Sequence, residues 1–192
     1  MISFRAFIWF CALFALACAA QAQGDVRVRG TIAASDGKMF SVKTADGKSV
    51  DIGIGEKSVI VFLKPIGLAD IKPGDFLGVT SKKAGDGTLT AVDVRRFPKP
   101  LNPGHRPFDG RDDQTMTNAT VSATVQSAKG RELTLTYEGG SQKITVPENA
   151  SISTQVPGER SQLVPGAAVN LTAAEAGGKL TAVRVQVSPP RR

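Results

Sequence analysis

From residue 25 onward, apolar and polar side chains alternate along much of the chain. Val26-Arg-Val-Arg-Gly-Thr-Ile32, Phe40-Ser-Val-Lys43 and Val50-Asp-Ile-Gly-Ile54 place apolar groups at every second position over most of their length. That is the period of a strand with one buried face. Between such runs fall Asp36-Gly37, Asp46-Gly47 and Asp86-Gly87, with Lys129-Gly130, Gly139-Gly140 and Gly177-Gly178 in the corresponding later places. Glycine supplies the positive φ that short hairpin turns require, so consecutive strands are expected to be antiparallel neighbours. Pro73-Gly74 and Pro165-Gly166 predict type II turns, each launching a further strand. Beyond the first 22 residues no long stretch has the apolar spacing of three and four that a helix needs. Helix is therefore expected only as short turns near 68–71 and 161–163.

The pattern occurs twice. Gly87-Thr-Leu-Thr-Ala-Val-Asp-Val94 returns as Gly178-Lys-Leu-Thr-Ala-Val-Arg-Val185, with six of eight positions identical. Ile71-Lys-Pro-Gly-Asp-Phe-Leu-Gly-Val79 answers Leu163-Val-Pro-Gly-Ala-Ala-Val-Asn-Leu171, and Gly30-Thr-Ile32 answers Ala123-Thr-Val125, so the offset drifts from 93 to 91. Two copies of about 70 residues each sit in the lower range of domain sizes. Five or six short strands are too few for a two-sheet sandwich, whereas a small closed barrel removes the exposed edges of so short a sheet. The expected fold is all-β: two small antiparallel β-barrels of OB-like type in tandem, with little helix outside the N-terminal segment. Residues 23–98 form the first barrel, 99–116 a Pro/Gly/Asp-rich linker, 117–188 the second barrel, and 189–192 a basic tail.

Gly30-Thr-Ile32, the Asp36-Gly37 turn, Pro73-Gly-Asp-Phe-Leu77 and Asp86-Gly-Thr-Leu-Thr-Ala-Val-Asp-Val94 resemble the bacterial family called domain of unknown function 5666. The resemblance covers most of both halves. The second copy departs from it at Ala167 and Gly177, where the pattern has Asp. It implies envelope localisation and a compact β domain, and it brings no catalytic residue or ligand.

The N-terminus supports the same compartment. Arg5 precedes the apolar run 6–20, which closes on Ala20-Gln21-Ala22. This is the order of a secretory signal peptide, residues 1–22, cleaved after Ala22. The run is shorter than the roughly 20 residues that span a bilayer, so no transmembrane anchor is expected after cleavage. Ala15-Leu16-Ala17-Cys18 opens a lipoprotein reading, which Leu16 disfavours by standing one place too near the cysteine. A periplasmic or secreted protein follows. Both cysteines and the one tryptophan leave with the signal, so the fold rests on packing and sheet hydrogen bonds without disulfides.

The formal charge is +7, or +6 once Arg5 is gone, and the excess is spread along the chain. Spread positive charge favours solubility and loose attraction to anionic surfaces. The six aromatics after the signal are mostly in phases that suggest burial, which leaves little to stack bases, so nucleic acid is not an expected partner.

The linker carries the most distinctive chemistry, holding the one histidine, His105, with Arg106, Phe108, Asp109, Asp112 and Asp113. One imidazole is not a metal site, and the three carboxylates lack the alternate-ligand spacing of a calcium loop. No metal or other cofactor is expected. A second reading has Leu101 and Phe108 anchoring the linker in a groove between barrels, with His105 and Arg106 hydrogen-bonded to the halves. No nucleophile elbow, phosphate loop or dinucleotide glycine fingerprint accompanies the histidine, so an enzyme is not expected. The expected function is a non-enzymatic envelope binding or interaction module, whose partner is an envelope protein or a small ligand. The alternatives are a basic protein held at anionic envelope polymers or lipid head groups, and a weak cation-binding accessory using the linker.

Overall fold

The computed structural model of the chain describes residues 25–127 and 130–190. The expected signal peptide with Cys18, Lys129 of the Lys129-Gly130 turn, and residues 191–192 of the basic tail lie outside the described residues. Alternation becomes strand throughout. The first copy gives β1 (Asp25–Ser35), β2 (Met39–Thr44), β3 (Ser49–Pro65), β4 (Phe76–Lys83) and β5 (Leu89–Phe97). After β6 (Gly104–Phe108), the second gives β7 (Arg111–Ser127), β8 (Gly130–Tyr137), β9 (Gly140–Val146), β10 (Ser151–Pro157), β11 (Ala168–Ala176) and β12 (Lys179–Ser188). Helix among the described residues is confined to the 3-10 turns Leu68–Asp70 and Arg160–Gln162. Both turns close the same way: the Gly67 N–H donates to the Asp70 carboxylate at 2.8 Å, and the Glu159 N–H to the Gln162 side-chain oxygen at 2.9 Å. The Pro-Gly turns have the expected form. Gly74 and Gly166 take φ of 92° and 85°, and the Asp75 and Ala167 N–H groups donate to the carbonyls of Lys72 and Val164.

The fold is all-β barrel, but neither copy closes a barrel by itself. β1, β2 and β3 pair in sequence, yet the ring is completed by β11 beside β1 and β12 beside β3. The other ring is β7, β8 and β9, completed by β5 and β4. Each closed five-stranded barrel thus takes three strands from one copy and a hairpin from the other. The expected barrels over 23–98 and 117–188 are corrected accordingly. Nor is the sheet wholly antiparallel, since β12 runs parallel to β3, β9 parallel to β5, and β10 parallel to β5. The reason is geometric: a hairpin joined to its own meander by a long strand and a 3-10 turn can reach a neighbouring ring as easily as its own.

The exchange has pseudo-twofold symmetry. The second half of β3 pairs antiparallel with β10, and Leu63 lies opposite Gln155, its counterpart 92 positions later. Val59↔Arg184 across β3 and β12 is matched by Ser151↔Asp93 across β10 and β5. At the opening strands the structure corrects the sequence alignment. The Ile32 N–H donates to the carbonyl of Ala167 and the Val121 N–H to that of Asp75, and a register shift follows each residue on its hairpin. Ile32 therefore answers Val121, at an offset of 89, and the β7–β8 hairpin is longer than β1–β2 by the four residues that separate 89 from 93.

Two apolar cores result. Ile32, Phe40, Val42 and Ile52 pack with Leu163, Leu171, Val185 and Val187 in the first barrel. Leu77, Val79 and Val94 pack with Val121, Leu133, Leu135, Ile144 and Val146 in the second. Side chains of both copies fill both interiors.

The segment 99–116 is not a plain linker. Gly104–Phe108 and the start of β7 form a hairpin through Asp109 and Gly110, whose φ values of 59° and 68° make a primed turn. β6 extends the sheet along β7 beyond the barrel. Its Pro107, lacking an N–H, is tolerated on such an edge.

Candidate functional site

Where β3, β5, β10 and the end of β12 meet between the barrels, a pocket of about 420 Å³ opens. Leu63, Ile152, Pro189 and Pro190 give it apolar walls, and Asp93, Arg95, Ser151 and Ser153 give it polar groups. Apolar walls with a few converging polar groups are the usual make-up of a small-ligand site. β5 places Asp93 and Arg95 on one face because they are two residues apart in a strand. A guanidinium nitrogen of Arg95 donates to Asp93 Oδ2 at 3.2 Å, and its other terminal nitrogen reaches the Gln186 side-chain oxygen at 3.4 Å. Arg95 and Gln186 are counterparts in the two copies, so this contact crosses the pseudo-twofold axis.

Burial raises the Asp93 carboxyl above the ordinary carboxylate range, while the Arg95 charge and a hydrogen bond with Ser151 pull the other way. Arg95 Nε is buried without a hydrogen-bond partner among the described residues. A buried donor left unpaired is costly, and Arg95 meets the pocket through the rest of its side chain, about a quarter exposed, which Asp93 and Gln186 hold in place. Sequence reasoning missed this group. The signal was Asp93, one of the two positions at which Gly87–Val94 and Gly178–Val185 differ, since Arg184 stands in its place.

The residues expected from the linker fall elsewhere and do not converge. His105 is half-buried on β6, its Nδ1 sharing a 2.8 Å hydrogen bond with the Thr117 hydroxyl. Burial holds its imidazole below the usual histidine range, and Lys83 adds to the effect. Arg106 is exposed and donates to the Asn102 carbonyl at 3.2 Å. Phe108 is half-buried. Leu101 is exposed, which removes it as an anchor in a groove; its carbonyl instead accepts from the buried Asn118 amide. Asp109 pairs with Arg29 of β1 at 3.5 Å, and Asp112 and Asp113 are exposed. Among the described residues no three His, Cys, Asp or Glu side chains stand close enough to hold a metal ion.

Around His105 lies a second polar cluster. Thr117, Thr115 and Ser81 are buried along the inner faces of β7 and β4, with Ser81 opposite Thr115 in register. Their counterparts in the first barrel are Val28, Val26 and Ala173. The Ser81 and Thr115 hydroxyls have no hydrogen-bond partner among the described residues.

No family model matches the chain, and no curated protein or solved structure does. The likeness to domain of unknown function 5666 therefore rests on the quoted motifs alone.

Proposed function

We propose that this protein is a non-enzymatic binding module of the bacterial envelope that takes a small polar ligand, or the end of a partner's chain, in the pocket between its barrels. The observation that carries the reading is the half-buried Asp93–Arg95 ion pair, 3.2 Å apart, in a pocket with apolar walls. The fitting ligand presents an acceptor oxygen to Arg95 and a donor to Asp93, with an apolar flank against Leu63 and Pro189. Non-enzymatic binding is also favoured by the position of the histidine, which lies on β6 and does not line this pocket. The expected signal peptide supports the envelope as the module's compartment.

The test is affinity capture from the producing cell's envelope fraction. The whole chain from residue 23 is compared with an Asp93→Asn/Arg95→Met variant, which removes both charges together and leaves no unpaired ion behind. Loss of captured material in the variant, with its thermal unfolding unchanged, supports the pocket. Equal capture by both proteins refutes it.

A further inference from the structure

A different face of the first barrel lies outside the pocket lining and touches it only through Gln186, which meets Arg95. Strand alternation puts Arg27 and Arg29 of β1 on its outer surface, and the register sets Thr172 opposite Arg27 and Asn170 opposite Arg29. One strand further on, Arg184 lies opposite Thr172 and Gln186 opposite Asn170. Two rows result: Arg27-Thr172-Arg184 and Arg29-Asn170-Gln186. Strands about 4.8 Å apart put the Arg27 and Arg184 backbones roughly 10 Å from each other, with side chains long enough to converge over Thr172. The rows line a shallow concavity of about 180 Å³, the scale of one oxyanion group with its hydration.

Two features make this more than a solvated basic stripe. Arg27 and Arg184 are exposed and have no acidic or hydrogen-bonding partner among the described residues. Arg29 already holds an oxyanion supplied by the chain itself: the β6–β7 turn brings the Asp109 carboxylate to 3.5 Å from its guanidinium. Asp25, at the start of β1, is the other acid on this strand face. The neutral Thr172 and Asn170, with Gln186 at the end of the second row, offer donors and acceptors of the kind that hydroxyl-bearing chains use.

We propose that this face binds an anionic glycan. One acidic group of the glycan seats between Arg27 and Arg184, and a second displaces Asp109 from Arg29. Guanidinium grips carboxylate, sulfate and phosphate oxygens in pairs, and the interleaved amides and hydroxyl meet sugar hydroxyls. A glycan fits better than a bilayer because neutral hydrogen-bonding side chains, not an apolar wedge, fill the space between the charges.

The experiment measures binding of the whole chain from residue 23 to immobilised polygalacturonate, with neutral dextran and phosphatidylglycerol vesicles as the other arms. Binding to polygalacturonate is expected to fall steeply as salt rises from about 0.15 to 1 M, because the screening length shrinks from about 8 to 3 Å. Arg27→Gln/Arg184→Gln is expected to weaken it by at least about tenfold, the size of one lost charge-assisted pair. Lys82→Gln/Lys143→Gln removes the same net charge from the second barrel and is expected to change it by less than about threefold. Asp109→Asn is expected to strengthen binding by up to about fivefold, since an exposed ion pair no longer competes. The proposal is overturned if the arginine variant binds like the unaltered chain, if the lysine control loses as much, or if vesicles are bound and polygalacturonate is not.

Discussion

The exchange of hairpins predicts what becomes of a single copy. In residues 25–98, β1, β2 and β3 pair with one another and β4 pairs with β5, but no ladder joins the two groups. The first core then keeps Val28, Ile32, Phe40, Val42 and Ile52 and loses every buried residue from Leu163 to Val187. Each large apolar side chain left exposed forfeits about 1.5–3 kcal/mol, so the five together lose about 8–15 kcal/mol. That equals or exceeds the whole stability of an ordinary domain, about 5–15 kcal/mol. A folded monomer is thus excluded, but a partner is at hand. In a second copy of the fragment, Val79 and Val94 stand where Leu171 and Val185 stand in the intact chain. Residues 25–98 are therefore expected to form a homodimer by the same reciprocal exchange, with two closed barrels. Light scattering after gel filtration, with far-ultraviolet circular dichroism over a dilution series, should show a β-rich dimer that loses structure on dilution. A folded monomer refutes the exchange, and a chain unfolded at every concentration refutes the self-pairing.

Three further outcomes follow from the second barrel and the opening strand. Ser81→Ala/Thr115→Val gives the second barrel the first barrel's residues at those two positions and removes two buried hydroxyls without partners among the described residues, so it is expected to stabilise by about 1–3 kcal/mol in urea unfolding; a loss of more than about 1 kcal/mol would mean those hydroxyls have partners. His105 has a folded pKa below its unfolded value of about 6.5, so the unfolded chain binds more protons between the two, and stability should fall as pH drops through that window. His105→Gln should flatten that slope in pH-dependent thermal melts, and an unchanged slope would refute the assignment. A Cβ added at Gly30 would stand 2.2 Å from the Lys43 carbonyl oxygen, so Gly30→Ala is expected to cost about 1–3 kcal/mol in the same urea assay.

Strands, hairpin turns, Pro-Gly turns and both 3-10 turns were legible because each depends on local periodicity and on residues with special φ. The exchange was not legible, because it depends on which ring a hairpin joins. Val79 and Leu171, or Val94 and Val185, would fill either barrel, so inward-facing residues carry little information about the choice. The offset error at β7 survived for a related reason: a slip of four residues keeps every side chain on its own face, as any even slip does in a strand. β6 was hidden by its prolines. Pro98, Pro100, Pro103 and Pro107 read as a linker, although Asp109-Gly110 was a hairpin signal of the same kind as Asp36-Gly37. The linker residues stand out by composition, but β6 separates them, sending His105 toward Thr117 and Asp109 toward Arg29.

A duplicated chain that closes by reciprocal exchange starts from two equivalent sets of sites, so any function confined to one set must appear as a break in the repeat. The breaks here are specific. On the closing strands, Asp93 and Arg95 answer Arg184 and Gln186, which makes an ion pair in the pocket on one side and leaves an unpaired arginine on the other. Inside the barrels, hydroxyls of Ser81, Thr115 and Thr117 answer apolar groups. At the opening strands, β6 lies along β7, and β1 has only the Asp109 turn against Arg29. A repeat kept only for packing has no reason to diverge in charge at Asp93 and Arg184, positions that both barrels would tolerate unchanged. The divergence therefore supports the proposed sites on the outer faces of β5 and β12 over the connecting segment whose composition first attracts notice.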